Sequence, residues 1–173
     1  MHAATVDFLP SSAARPVREL DDLLALEAPA LADLYRRASV PRLADVTGDL
    51  RGRMLAIPAL RGAAAAVPRA LASSARFPWR GKSFWTTSAT EGAGINRVVL
   101  DRFRLFRFAT FVGPSRAGAF DAVQLDYDNA GNPFFIRAIK DEIRELAPGL
   151  WLGQAWVALP RSTVLGLYFG LTK

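Results

Sequence analysis

Phe103-Arg104-Leu105-Phe106-Arg107-Phe108-Ala109-Thr110-Phe111-Val112 is the stretch on which the fold turns. A strand alternates its side chains, which puts Phe103, Leu105, Arg107, Ala109 and Phe111 on one face and Arg104, Phe106, Phe108 and Val112 on the other. Both faces are substantially apolar. A sheet that curls on itself and is covered outside by helices shelters both.

Working outward, Ile95 to Leu100, Ala122 to Tyr127, Leu150 to Leu159 and Thr163 to Leu171 are also rich in β-branched and aromatic residues. Gly, Asp, Asn and Pro punctuate them at hairpin-like spacing. Upstream, Leu50 to Ile57 alternates until Pro58 stops it, and Phe77 to Trp85 packs aromatics around Pro78 and Gly81 as a turn feeding a strand. The expected fold is therefore α+β, mainly β: a curved antiparallel sheet or small β-barrel.

Three helical readings accompany it. Leu20, Leu23, Leu24, Leu31, Leu34 and Tyr35 recur at helical steps, and Pro29 splits that element into two short helices or kinks it before Pro41. Leu60 to Ser74 reads as a short alanine-rich helix. Asn132-Pro133 reads as the start of one inserted amphipathic helix running to Ala147, with Phe135, Ile136, Ile139, Ile143 and Leu146 on its stripe. The organisation is a flexible leader over 1–15, a helical segment over 16–45 packed on the sheet, and a barrel-like domain over 46–173.

Composition removes several chemistries. No cysteine is present, and His2 is the sole histidine. Disulfides, thiolate nucleophiles, Ser-His-Asp triads and multi-histidine metal or haem sites are not expected, and neither is any cofactor. Apolar runs are broken well before the roughly 20 residues of a membrane span, and no secretory signal pattern leads the chain, so a cytoplasmic location is the expectation.

The net charge is +6. Ten basic residues lie between Arg61 and Arg116 against Glu91 and Asp101. They read either as a face toward an anionic ligand or surface, or simply as solvated arginines. Interleaved Arg and Phe from Arg102 to Phe108 resembles a nucleic-acid platform only superficially, because no recognised motif accompanies it; nucleic acid is not the expected partner.

Two segments carry candidate chemistry. In Trp79-Arg80-Gly81-Lys82, glycine permits close backbone approach, Lys82 supplies a point charge, and Trp79 and Trp85 can wall an apolar ligand or plug one end of a barrel. Arg97 and Arg107 are further candidate ligand contacts. Asp126 and Tyr127, at a strand end, form a candidate acid/base pair, while the same region also has ordinary turn composition. Asp141 and Glu142 read as helix-surface partners of Arg137, Lys140 and Arg144.

Gly48-Asp49-Leu50-Arg51-Gly52-Arg53 followed by Trp79-Arg80-Gly81-Lys82-Ser83-Phe84 resembles the GXWXG-type bacterial domains, with Leu125-Asp126-Tyr127 and Leu152-Gly153 in the later strands. The resemblance spans about residues 46–171, and Leu50 stands where the family name calls for Trp. It implies a small calycin-like β-barrel and transfers no catalytic residue. The leading expectation is a barrel that binds a hydrophobic or amphipathic small molecule or lipid, neutral or anionic. A cofactor-independent isomerase, cyclase or hydrolase using Asp126 and Tyr127 is the alternative, and an interaction scaffold with a filled core the third.

Overall fold

A computed structural model describes residues 17–60, 78–99 and 101–173. Two short helices, α1 (Leu20–Leu24) and α2 (Ala28–Arg37), precede β1 (Gly48–Ala56), β2 (Trp79–Thr86), β3 (Glu91–Val98), β4 (Phe103–Pro114) and β5 (Asp121–Asp126). One helical turn, α3 (Phe134–Arg137), then leads into β6 (Ile139–Ala147), β7 (Leu150–Leu159) and β8 (Ser162–Thr172). The expected leader, with His2, and the helix over Leu60 to Ser74 fall on or largely on residues outside those described. No helix among the described residues is long and apolar enough to cross a membrane.

Each strand pairs antiparallel with the next, and β8 returns to β1 through pairs such as Gly52 with Leu171 and Arg53 with Gly170, closing an eight-stranded barrel. Closure removes both sheet edges, which would otherwise leave unpaired backbone groups. Because the strands alternate in direction, the ends of β1, β3, β5 and β7 share one rim with the starts of β2, β4, β6 and β8.

The two-sided apolar pattern has a physical counterpart. Leu50, Phe84, Phe108, Val123, Leu125, Ile143, Trp151 and Leu171 are buried in one cluster inside the barrel. A second cluster lies outside, where Leu23, Leu31 and Tyr35 of α1 and α2 cover Leu55, Leu150, Leu152 and Tyr168. Pro29 falls in the first turn of α2, where its missing N–H costs no helical bond, so two short helices form rather than a kinked one. A two-way bridge between Ser39 and Glu145 then ties the end of this cover to β6.

β4 departs from simple alternation. Phe106 has a positive φ of 62°, and the pairing with β3 slips between Ile95 and Asn96. Phe108 is buried and Phe106 partly so, whereas Phe103, Leu105 and Phe111 remain exposed. Only one face of the deciding stretch is therefore core.

The larger correction concerns Asn132 to Ala147. Helix persists only over Phe134–Arg137, and the rest is strand β6. The spacing of Ile139, Ile143 and Leu146 suits a helix, but Ile139, Asp141 and Ile143 also alternate. Closure settles the competition, because the facing backbone groups of β5 and β7 need a strand between them. Three of the charges read as solvent-facing, Asp141, Glu142 and Arg144, are buried as well. Glu142 accepts from the Ser115 hydroxyl (2.7 Å) and the Arg116 backbone N–H (3.0 Å). Arg144 donates to the carbonyls of Ala38 and Asp121 and stacks 4.3 Å above the Phe120 ring.

Candidate functional site

The barrel is filled at one end and hollow at the other. Leu50, Phe84, Ile143, Trp151 and Leu171 pack the first end, while a partly open cavity of about 320 Å³ occupies the second. Carbon-rich side chains supply most of its wall, including Met54, Val98, Phe106, Ile136, Ala155 and Leu167. Lys82, Asn96, Tyr127 and Asp141 form its polar side.

Local backbone geometry delivers Lys82 to the interior. Gly81 has φ +135°, and a Cβ there would lie 2.0 Å from the Leu50 carbonyl oxygen. Across from it, a Cβ on Gly52 would sit 2.4 Å from the Trp79 ring. The two closely approaching glycines let β1 and β2 press together, the Trp79 ring lies over Gly52, and the register with β3 slips between Trp79 and Gly81. Trp79 then meets Phe169 edge-on, with centroids 5.8 Å apart. Lys82 points inward, 3% exposed.

Its ammonium protons have three acceptors: Asp141 Oδ2 at 2.9 Å, Asn96 Oδ1 at 2.9 Å and the Tyr127 hydroxyl at 2.5 Å. Tyr127 in turn donates to Asp141 Oδ2 (3.1 Å) and accepts from Asn96 Nδ2 (3.0 Å). Trp79 Nε1 donates to Asn96 Oδ1 (3.0 Å). The rings of Trp79, Phe108, Tyr127 and Phe169 surround the ammonium, their centroids 5.1 to 5.4 Å away. At that range their faces attract a cation. Within this network Asp141 Oδ1 is buried and has no hydrogen-bond partner.

Burial has two electrostatic effects here. It pushes the Lys82 ammonium below its ordinary value, against the opposing pull of Asp141. It also raises the Tyr127 phenol well above its ordinary value, and the nearby Asp141 charge adds to the rise. Tyr127 is thus held neutral, and Lys82 is closer to losing a proton than a solvated lysine.

Of the residues singled out from sequence, Trp79, Lys82 and Tyr127 line this cavity. Trp85 lies farther along β2 toward the filled end, 39% exposed. Arg97 follows the inward Asn96, turns outward and pairs with Asp101 at 2.8 Å. Arg107 is exposed beside the β4 bulge. Asp126 faces out and pairs with Lys140, so only the tyrosine of the Asp126 and Tyr127 pair reaches the cavity. Asp141 is the carboxylate that does reach it, although a helical reading of this segment puts it on a helix surface. Its position between Ile139 and Ile143 is the signal that identifies it as an inward residue of a strand. Asn96 was detectable in the same way, between the inward Gly94 and Val98.

Among the described residues no three His, Cys, Asp or Glu side chains gather as a metal site would require. No family model, curated protein or solved structure matches the chain, and the reading of the site rests on its own geometry.

Proposed function

We propose that this protein binds a small, mainly apolar molecule in the hollow half of its barrel, with the molecule's polar end at Lys82, Asn96, Tyr127 and Asp141. The observation that carries this reading is the cavity itself: about 320 Å³, walled by carbon and bordered by one polar cluster. Its volume falls at the small end of the roughly 300–1,000 Å³ typical of ligand pockets, which favours a single short chain or ring system over a two-tailed lipid. The lining cation, Lys82, is already paired with Asp141, so a carboxylate head would meet a carboxylate. A neutral hydroxyl or carbonyl end avoids that repulsion.

Phe134 and Phe135, 85% and 59% exposed, directly precede Ile136 of the cavity wall and give the rim an apolar surface at which such a molecule first lands. We also propose that the likeness to GXWXG-type bacterial domains reflects this architecture, since its two motifs lie on the paired strands β1 and β2.

Native mass spectrometry with 1-octanol tests the reading. One molecule is expected to be retained per chain, and Ala155→Phe, which fills the cavity from β7, is expected to abolish retention while the barrel stays folded by circular dichroism. No retention by the unaltered protein, or equal retention by the filled variant, would overturn it.

A further inference from the structure

Nineteen of the 22 basic residues in this chain are arginine, yet the cation inside the barrel is a lysine. The difference is chemical. Arginine stays protonated in proteins, whereas a desolvated lysine can release a proton and become a nucleophile. Lys82 borders an apolar cavity, with a carboxylate 2.9 Å from its nitrogen and a neutral phenol within hydrogen-bond reach.

We propose that Lys82 captures an aldehyde or ketone in this cavity as a Schiff base, with Asp141 as proton acceptor and counterion and Tyr127 as hydrogen-bond donor to the carbonyl oxygen. This rests on the cavity binding apolar molecules.

The step balances without an oxidant or reductant. Asp141 takes one proton from the Lys82 ammonium, and the free amine adds to the carbonyl carbon, forming a C–N bond. The former carbonyl oxygen receives protons from the amine and from the carboxylic acid of Asp141 and leaves as water. The remaining C=N carries one proton and one positive charge, opposite the restored Asp141 carboxylate. The charge of the pair is the same before and after, so the apolar site never holds a net charge it did not hold already. Burial supports the first step by drawing the ammonium down from its ordinary value, while Asp141 holds it partly up.

The geometry also explains why three polar side chains, Asn96, Tyr127 and Asp141, are arranged around one nitrogen. Asn96 Oδ1 and the Tyr127 hydroxyl hold the amine in place when its proton moves to Asp141. The rings of Trp79, Phe108 and Phe169 pack around the nitrogen and give an imine an apolar surrounding.

Lys82, Lys140 and Lys173 are the only lysines in the chain, so labelling can be assigned residue by residue. The protein is incubated with octanal and cyanoborohydride, with and without excess 1-octanol, and alkylation is read by peptide mass mapping. In parallel, native mass spectrometry reads retention of octanol itself. The expected result is alkylation of Lys82 at least tenfold above that of exposed Lys173, with octanol suppressing only the Lys82 adduct. Lys82→Met is expected to remove that adduct, and Ala155→Phe, which leaves the lysine in place, to do the same.

If octanol is retained but Lys82 reacts no faster than Lys173, Schiff-base capture is wrong and the binding reading stands. Labelling of Lys82 that octanol does not suppress also overturns capture within the cavity. If neither octanol nor octanal is retained, both readings fall.

Discussion

The ion pair between Lys82 and Asp141 makes a prediction whose sign can be worked from the structure. Its nitrogen and oxygen are 2.9 Å apart, and the residues are 3% and 4% exposed. At an effective dielectric of 20 the Coulomb attraction at such a distance is about 6 kcal/mol, while removing each ion from water costs several kcal/mol. The two contributions nearly cancel, so the pair adds little net stability although each member depends on the other. Lys82→Met leaves the Asp141 carboxylate buried without its partner and should cost about 3–5 kcal/mol, a large share of the roughly 5–15 kcal/mol of a typical domain. Asp141→Leu should cost a similar amount, stranding the ammonium instead. The double variant Lys82→Met/Asp141→Leu should lie between wild-type stability and about 4 kcal/mol above it. Urea unfolding at neutral pH, followed by tryptophan fluorescence, measures all four corners of the cycle. The reasoning is refuted if either single variant is within about 1 kcal/mol of wild type, or if the double loses the sum of the singles. A double variant that is stable but no longer retains an apolar alcohol would show that the pair is kept for its ligand rather than for the fold.

Three other outcomes follow from particular contacts. Tyr35 and Tyr127 are buried with raised phenol pKa values, so above the ordinary phenol value of 10.0 the unfolded chain loses protons that the folded chain keeps. Stability should fall there by on the order of 3 kcal/mol per pH unit from these two groups, after a shallow rise as the depressed Lys82 titrates below 10.5. Phenolate absorbance from these tyrosines should appear only together with unfolding, and their smooth titration in the folded barrel would contradict this. Gly81→Ala places a Cβ 2.0 Å from the Leu50 carbonyl oxygen at a φ of +135°, and should cost more than about 2 kcal/mol in urea unfolding; a near-neutral effect would mean that β1 and β2 do not approach so closely. Arg144→Met removes the donors that hold the carbonyls of Ala38 and Asp121, and should cost on the order of 2–3 kcal/mol. Limited proteolysis should then cut first near Ser39; unchanged protease resistance would count against the clamp.

Much of this architecture is legible in the residues alone. The apolar run Leu150 to Leu159 coincides with β7, because Pro148-Gly149 and Pro160 bracket it. Pro29 marked the break between α1 and α2, and Gly81 marked a close backbone approach. These are local effects: a proline lacks an N–H wherever it stands, and a glycine lacks a Cβ. The candidate site was half legible for the same reason, since Trp79, Lys82 and Tyr127 stand out by residue type. Asn96 and Asp141 do not. The charged run from Lys140 to Glu145 suits a helix as well as a strand, and Arg97, Arg107 and Asp126 carry suitable chemistry on outward-facing positions.

Sequence by itself determined that strands would dominate and where glycine and proline would break or bring together the chain. Tertiary structure alone decided that β6 is a strand, that Asp141 rather than Asp126 faces Lys82, and that one end of the barrel is packed while the other is hollow. Period-two inwardness depends on register, and register is set only when β8 closes on β1 and every backbone group between them must find a partner.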